Sequence, residues 1–243
     1  MRPFVLAAFL FLLLPVTKAQ YQFGIVAGPL YDFTRSAVNT DLPDGVKLDL
    51  PTLDGIGFHG GVWYRSDRLH LVNFRAGLEW SYRTFKQDLK EVSFGEDLTE
   101  YYFTGELRTH LNYLELPVQG QYYFWHGAHA EVGLVFARLM SGRFFRKGQT
   151  RVTTPDGTVH YPDATDDEST DTSELANFEL ASTLGVGYDF KKGICVGLSF
   201  AYGLTRIESD AGVDVKTWLN TLRLNVGYDF LHPKGHRVYR WER

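Results

Sequence analysis

The chain has a single cysteine, Cys195, no excess of positive charge, and no apolar run beyond its opening residues long enough to cross a bilayer as a helix. One cysteine excludes an internal disulfide, so Cys195 reads as a packing residue. There are 25 basic and 29 acidic residues. Setting aside Arg2 and Lys18 with an expected leader leaves 23 against 29, a balance that excludes nucleic acid as a partner. Without a further apolar helix, a chain of this kind crosses a membrane only as strands.

The opening carries Arg2, an apolar stretch from Phe4 to Leu14, and the small residues Thr17 and Ala19. A basic start, a short greasy core and small residues three and one before a cut predict a secretory signal peptide over residues 1–19. No cysteine follows, so a lipoprotein start is not expected. The rest divides into a domain at 20–230 and a basic tail at 231–243. Aromatic residues make up 15% of the chain and glycines number 24, a composition suited to a barrel with aromatic girdles and closely approaching strands.

The clearest pattern runs from Phe178 to Arg206, folded about Lys191, Lys192 and Gly193. Ile194, Val196, Leu198, Phe200, Tyr202 and Leu204 alternate with Cys195, Gly197, Ser199, Ala201, Gly203 and Thr205. Period two over twelve residues predicts a strand, not a helix. Leu180, Leu184, Val186, Tyr188 and Phe190 repeat the rule against Glu179, Ala181, Thr183, Gly185, Gly187 and Asp189. The same alternation predicts six more strands, over about 21–33, 55–64, 69–85, 107–124, 128–142 and 216–230.

Tight turns are expected at Arg65–Ser66–Asp67, Trp125–His126–Gly127 and the lysine pair, with long connections over 34–54, 86–106, 143–177 and 207–215. Pro29 should bring a bulge or the end of regular pairing, and Pro117 a bulge, because proline cannot donate to a ladder. Long and short connections alternate, which places both termini and every tight turn at one end, the periplasmic end of an outer-membrane barrel. Val-Gly-Tyr-Asp-Phe at 186–190 and again at 226–230 reads as an aromatic girdle at that end.

Alternation alone allows two homes: a transmembrane barrel with the greasy face toward lipid, or a soluble lipocalin-like carrier with that face around a ligand. Aromatics clustered at strand ends and glycines on the polar face favour the first. The fold expected is all-β, an eight-stranded antiparallel up-and-down transmembrane β-barrel in the cell outer membrane.

Tyr113-Leu114-Glu115-Leu116-Pro117 resembles the Tyr-Leu-Glu-Ile-Pro stretch of the PorT-like outer-membrane β-barrel proteins of Bacteroidetes. Ala130–Gly133, Leu184–Phe190 and Gly197–Thr205 are similar to that family as well, so the resemblance covers essentially the whole mature chain. Leu134 stands where the family often has proline, and a tail follows the last strand. The resemblance implies the same barrel and, for one branch, a part in type IX secretion and gliding machinery.

An eight-stranded lumen is filled by side chains. Arg75, Glu79, Arg83, Glu115, Glu131, Glu179, Arg223 and Asp229 are expected to form a salt-bridged lumenal network of structural role, with an ion path as a lesser reading. His59 and His129 are expected in the lumen without a partnering serine, so no catalytic residue, cofactor or metal site is assigned and no enzymatic activity is expected. Asp163, Asp166, Asp167, Glu168, Asp171 and Glu174 form an acidic tract in a long loop. The tract lacks calcium-loop spacing and reads as a solvated loop open to interaction. Expected partners are outer-membrane lipid, the barrel assembly machinery during biogenesis, and an unidentified protein at the outer loops or basic tail. The function expected is a non-enzymatic membrane scaffold or binding protein, with an envelope lipid-modifying enzyme or a lipocalin-like carrier as alternatives.

Overall fold

The computed structural model describes residues 20–38, 54–69, 72–96, 99–154, 156–162, 164–173, 175–190, 192–207 and 215–230. The expected leader and basic tail, and residues 39–53 of the expected 34–54 connection, lie outside them.

Eight strands form a ring: β1 (Gln20–Val38), β2 (Asp54–Leu69), β3 (Val72–Glu96), β4 (Thr99–Trp125), β5 (Ala128–Thr153), then, after the short β6 (Val159–His160) and β7 (Thr165–Ser169), β8 (Phe178–Asp189), β9 (Ile194–Gly203) and β10 (Val215–Asp229). Each pairs antiparallel with its neighbour in the ring, and β1 closes on β10 from Gly24 opposite Asp229 to Val38 opposite Val215. Closure leaves no edge inside the bilayer, which lipid would not tolerate.

Period two becomes two faces. Ile56, Leu184, Val132, Leu198 and Val226 point outward and are exposed, whereas Glu115, Ser81, His59 and Gln121 point inward and are fully buried. A soluble lipocalin-like carrier is thereby overturned, since its apolar face would line the interior. Each strand shows lipid about ten residues of apolar outward alternation, the length a tilted membrane strand needs. Tyr188 with Phe190 and Tyr228 with Phe230 make edge-to-face pairs at the tight-turn end. Phe58, Trp80, Tyr82 and His110 run as touching rings toward the other rim.

Several expected boundaries are corrected. The turn placed at Arg65–Asp67 falls later, between Leu69 and Val72, so Arg65 stays on β2 opposite Arg75. The Trp125–Gly127 turn stands, with His126 and Gly127 at positive φ. At Gly193, φ is 85° and its amide donates to the Phe190 carbonyl, a conformation glycine adopts without a Cβ penalty. Pro29 causes no bulge: pairing with β10 lapses at Gly28 and Pro29 and resumes at Leu30 in the same register. Pro117 is regularly opposed to Val135, and the irregularities fall instead at Asn112/Tyr113 and Tyr123/Trp125.

The largest correction concerns the connections. β3, β4 and β5 run for 25, 27 and 26 residues, far beyond membrane thickness. β2 leaves β3 at Asp54 opposite Lys86, while β3 and β4 stay paired to Glu96 opposite Thr99. β4 and β5 continue to Glu100 opposite Thr153, and β7 and β6 add to the β5 edge. Most of the expected 86–106 and 143–177 loops is therefore a sheet standing above the barrel. Alternation of polarity marks a strand only when one face is buried, and the described upper part of β5, from Phe144 to Thr153, has no buried side chain.

Candidate functional site

Three layers fill the lumen. Near the tight turns Arg65 is the hub: it donates to Asp189 at 2.6 Å, to the Tyr123 hydroxyl at 2.7 Å and to Asp229 at 3.1 Å, and it also bonds Gln22. Its guanidinium lies 5.1 Å from the Trp63 ring, as does that of Arg75. Above it His129 meets Glu131 at 3.1 Å, and Arg75 reaches the same carboxylate at 3.8 Å.

The upper layer centres on Glu115, on β4 and fully buried. Arg223 from β10 approaches it at 2.5 Å, Arg83 from β3 donates at 2.7 Å and the Ser81 hydroxyl at 2.6 Å. Arg83 also lies 3.6 Å from Asp32, which accepts a hydrogen bond from Thr221. His59 pairs with Glu79 at 3.1 Å, and Tyr113 donates to Glu179 at 2.5 Å.

All eight residues expected in the network thus face the lumen, joined to it by contacts no spacing rule specifies. The sequence reading omitted Asp32, Arg65 and Asp189. A signal was available: continuing the inward series Val26, Gly28, Leu30 reaches Asp32, and His59, Gly61, Trp63 reaches Arg65. Six carboxylates (Asp32, Glu79, Glu115, Glu131, Asp189, Asp229) meet four guanidiniums (Arg65, Arg75, Arg83, Arg223), and Glu179 is held by the Tyr113 hydroxyl. Buried charges persist only when paired this way. Among the described residues, lumenal voids of about 20 and 10 Å³ have room for single waters at most.

An apolar cap closes the long-connection end. Phe85, Leu111, Tyr113, Ala137, Leu139 and Leu219 form it, with Leu175 and Ile207 laid across from the connections. Backbone bonds fix those connections: Ala176 donates to Ile207 at 2.8 Å and Ile207 to Thr217 at 3.0 Å.

The acidic tract does not converge. Asp167 pairs with Arg146 at 3.0 Å and Asp166 with Lys147 at 3.5 Å, on β7 against β5. Asp171 accepts the Ser173 amide, which holds its carboxyl below the usual range. Asp163 and Glu174 lie outside the described residues. Among the described residues no group of three or more His, Cys, Asp or Glu side chains is placed to hold a metal. On the outer surface, at the rim, His110 Nδ1 lies 3.0 Å from the Thr84 hydroxyl and 2.8 Å from that of Tyr82, a contact the sequence reading missed.

The outer membrane protein beta-barrel domain family matches residues 19–209. The chain belongs to that family. It is a transmembrane β-barrel protein of the outer membrane. Among solved structures, the attachment invasion locus protein Ail of Yersinia pestis is similar at 15% identity, over 87% of this chain and 99% of that one, with a TM-score of 0.39. Neisserial surface protein A is 12% identical over 86% and 97% of the two chains, TM-score 0.40. OprG of Pseudomonas aeruginosa is 14% identical over 88% and 98%, TM-score 0.39. No curated protein matches the chain.

Proposed function

We propose that this barrel is a non-enzymatic binding protein whose working surface is the sheet formed by β3, β4, β5 and β7 above the membrane. The observation that carries this reading is the contrast between a plugged, capped lumen and three strands continued far past the bilayer. Among the described residues the lumen is filled by paired side chains with voids of about 20 and 10 Å³ between them, so the surface offered to a partner is outside it. The basic tail is a second expected contact, on the periplasmic side.

A part in type IX secretion or gliding is the finer assignment within this reading, supported by the resemblance of Tyr113–Pro117 and the matching strands. Trimming 88–104 and 145–168 tests the binding role. The trimmed protein should keep its heat-modifiable migration and lose its partner, and a partner captured equally by both forms would overturn the reading. Loss of type IX cargo export on deletion of the whole protein tests the finer assignment.

A lipid-modifying activity is the second reading, and it is favoured by the Thr84–His110 contact at the lipid-facing rim, where a hydroxyl nucleophile and its base would meet an acyl ester. It requires that lipid A or phospholipid change its acyl composition when the protein is present, and that His110→Ala abolish the change.

A further inference from the structure

A groove of about 610 Å³ opens on the lipid-facing surface of the barrel, floored by Pro29 and Gly57 and walled by Ile56, Phe58, Leu198 and Leu224. It lies where the β1–β10 ladder lapses at Gly28 and Pro29, and where the short ring of Pro29 stands outward between the longer apolar side chains of the neighbouring strands. A groove in this belt is bathed in acyl chains. It is continued toward the rim by consecutive outward residues of β1. Tyr31 touches Phe33 at 6.2 Å between centroids, and Phe33 stacks on Phe200 at 6.0 Å.

The next outward residue is Arg35. Its guanidinium lies over the rings of Tyr202 at 4.5 Å and Trp218 at 4.8 Å, and it is exposed. Among the described residues no carboxylate forms an ion pair with it. The Asp54 carboxylate, across from Phe33 in register, is engaged with the Tyr31 hydroxyl. A guanidinium fixed by two rings and left without an anion at a membrane rim matches a phosphate in charge and in its fork geometry. Four residues of strand separate it from Tyr31, about 13 Å, so the cation stands above the apolar groove on the side toward the rim.

We propose that this face binds a phosphorylated glycolipid of the outer leaflet, with one acyl chain in the groove and a headgroup phosphate on Arg35. The long-connection end faces the cell exterior, so the lipid available at Arg35 is the phosphorylated, multiply acylated glycolipid of that leaflet. The site is independent of the partner-binding reading given above.

Native mass spectrometry of the detergent-extracted barrel tests it, with bisphosphorylated lipid A, the same glycolipid stripped of phosphate, and phosphatidylethanolamine as probes. Lipid A should be retained over the other two. Arg35→Gln should lower its retention about tenfold, the loss of one charge-assisted contact. Leu198→Trp, which fills the groove from the lipid side, should lower it as well. Both variants should keep the heat-modifiable migration of the folded barrel. Equal retention of the three lipids, or retention of lipid A unchanged by either variant, would overturn the site.

Discussion

The lumen and the projecting sheet use the same chemistry in different solvents. Arg83 and Glu115 pair at 2.7 Å with side chains 3% and 0% exposed; Arg146 and Asp167 pair at 3.0 Å with 55% and 65% exposed. In the lumen neither member of the pair has water to fall back on, so each holds the other in place. On the sheet water competes for both, and the pair sets surface character more than stability. The comparison separates two tasks along one set of strands: the lower halves of β3, β4 and β5 build a rigid wall, and their upper halves present a solvated surface.

The sharpest way to break this contrast is Arg83→Met, which leaves Asp32 and Glu115 without their shared cation. It should cost about 3–5 kcal/mol in urea titrations of the barrel refolded in lipid vesicles; a cost near that of a surface pair would mean the lumen is wetter than its packing implies. Arg65→Leu should cost about 3 kcal/mol by the same titration, because Asp189 and Asp229 both lose the guanidinium they share at the tight-turn end. Leu111→Ala, in the apolar cap, should cost about 2–4 kcal/mol through the cavity it leaves. If this variant also gave the barrel conductance in planar bilayers, the cap would be the seal.

On the projecting sheet Asp167→Asn should cost no more than about 1 kcal/mol, and less at high salt. The smallest effect is local. The Thr154 hydroxyl and the Thr158 amide both donate to Asp156, and they lower its carboxyl from 3.8 to about 2. Depressed in the folded chain, this group supports the β5–β6 turn fully above pH 4 and loses that support as pH falls through 2. Amide exchange at Gly157 and Thr158 should therefore accelerate over that window, and Asp156→Asn should remove the pH dependence.

The wall of the barrel was legible because lipid imposes a rule on every second residue. Leu114, Leu116 and Val118 against Tyr113, Glu115 and Gln119 separate two faces, and the burial of Tyr113 and Glu115 turns the polar one inward. Arg65 was misplaced because Arg-Ser-Asp is also turn chemistry, and only the register with Arg75 on β3 shows that the strand continues through it. The upper halves of β3 to β5 gave no signal, since charged residues such as Lys86, Arg108 and Lys147 break the apolar alternation there. The rim contact of Thr84 with His110 joins two strands, a relation no single-strand pattern contains.

By itself the sequence determined how many strands make the wall, which residues share a face of each, and at which end the tight turns lie, because a wall with different surroundings on its two sides forces period two. Only the tertiary structure decided which charge meets which, where the strands end above the membrane, and that Pro29 and Gly57 floor one groove below Arg35. Those depend on closing the ring, which brings β1 beside β10 and sets residues nearly two hundred positions apart, such as Asp32 and Thr221, within a hydrogen bond of each other.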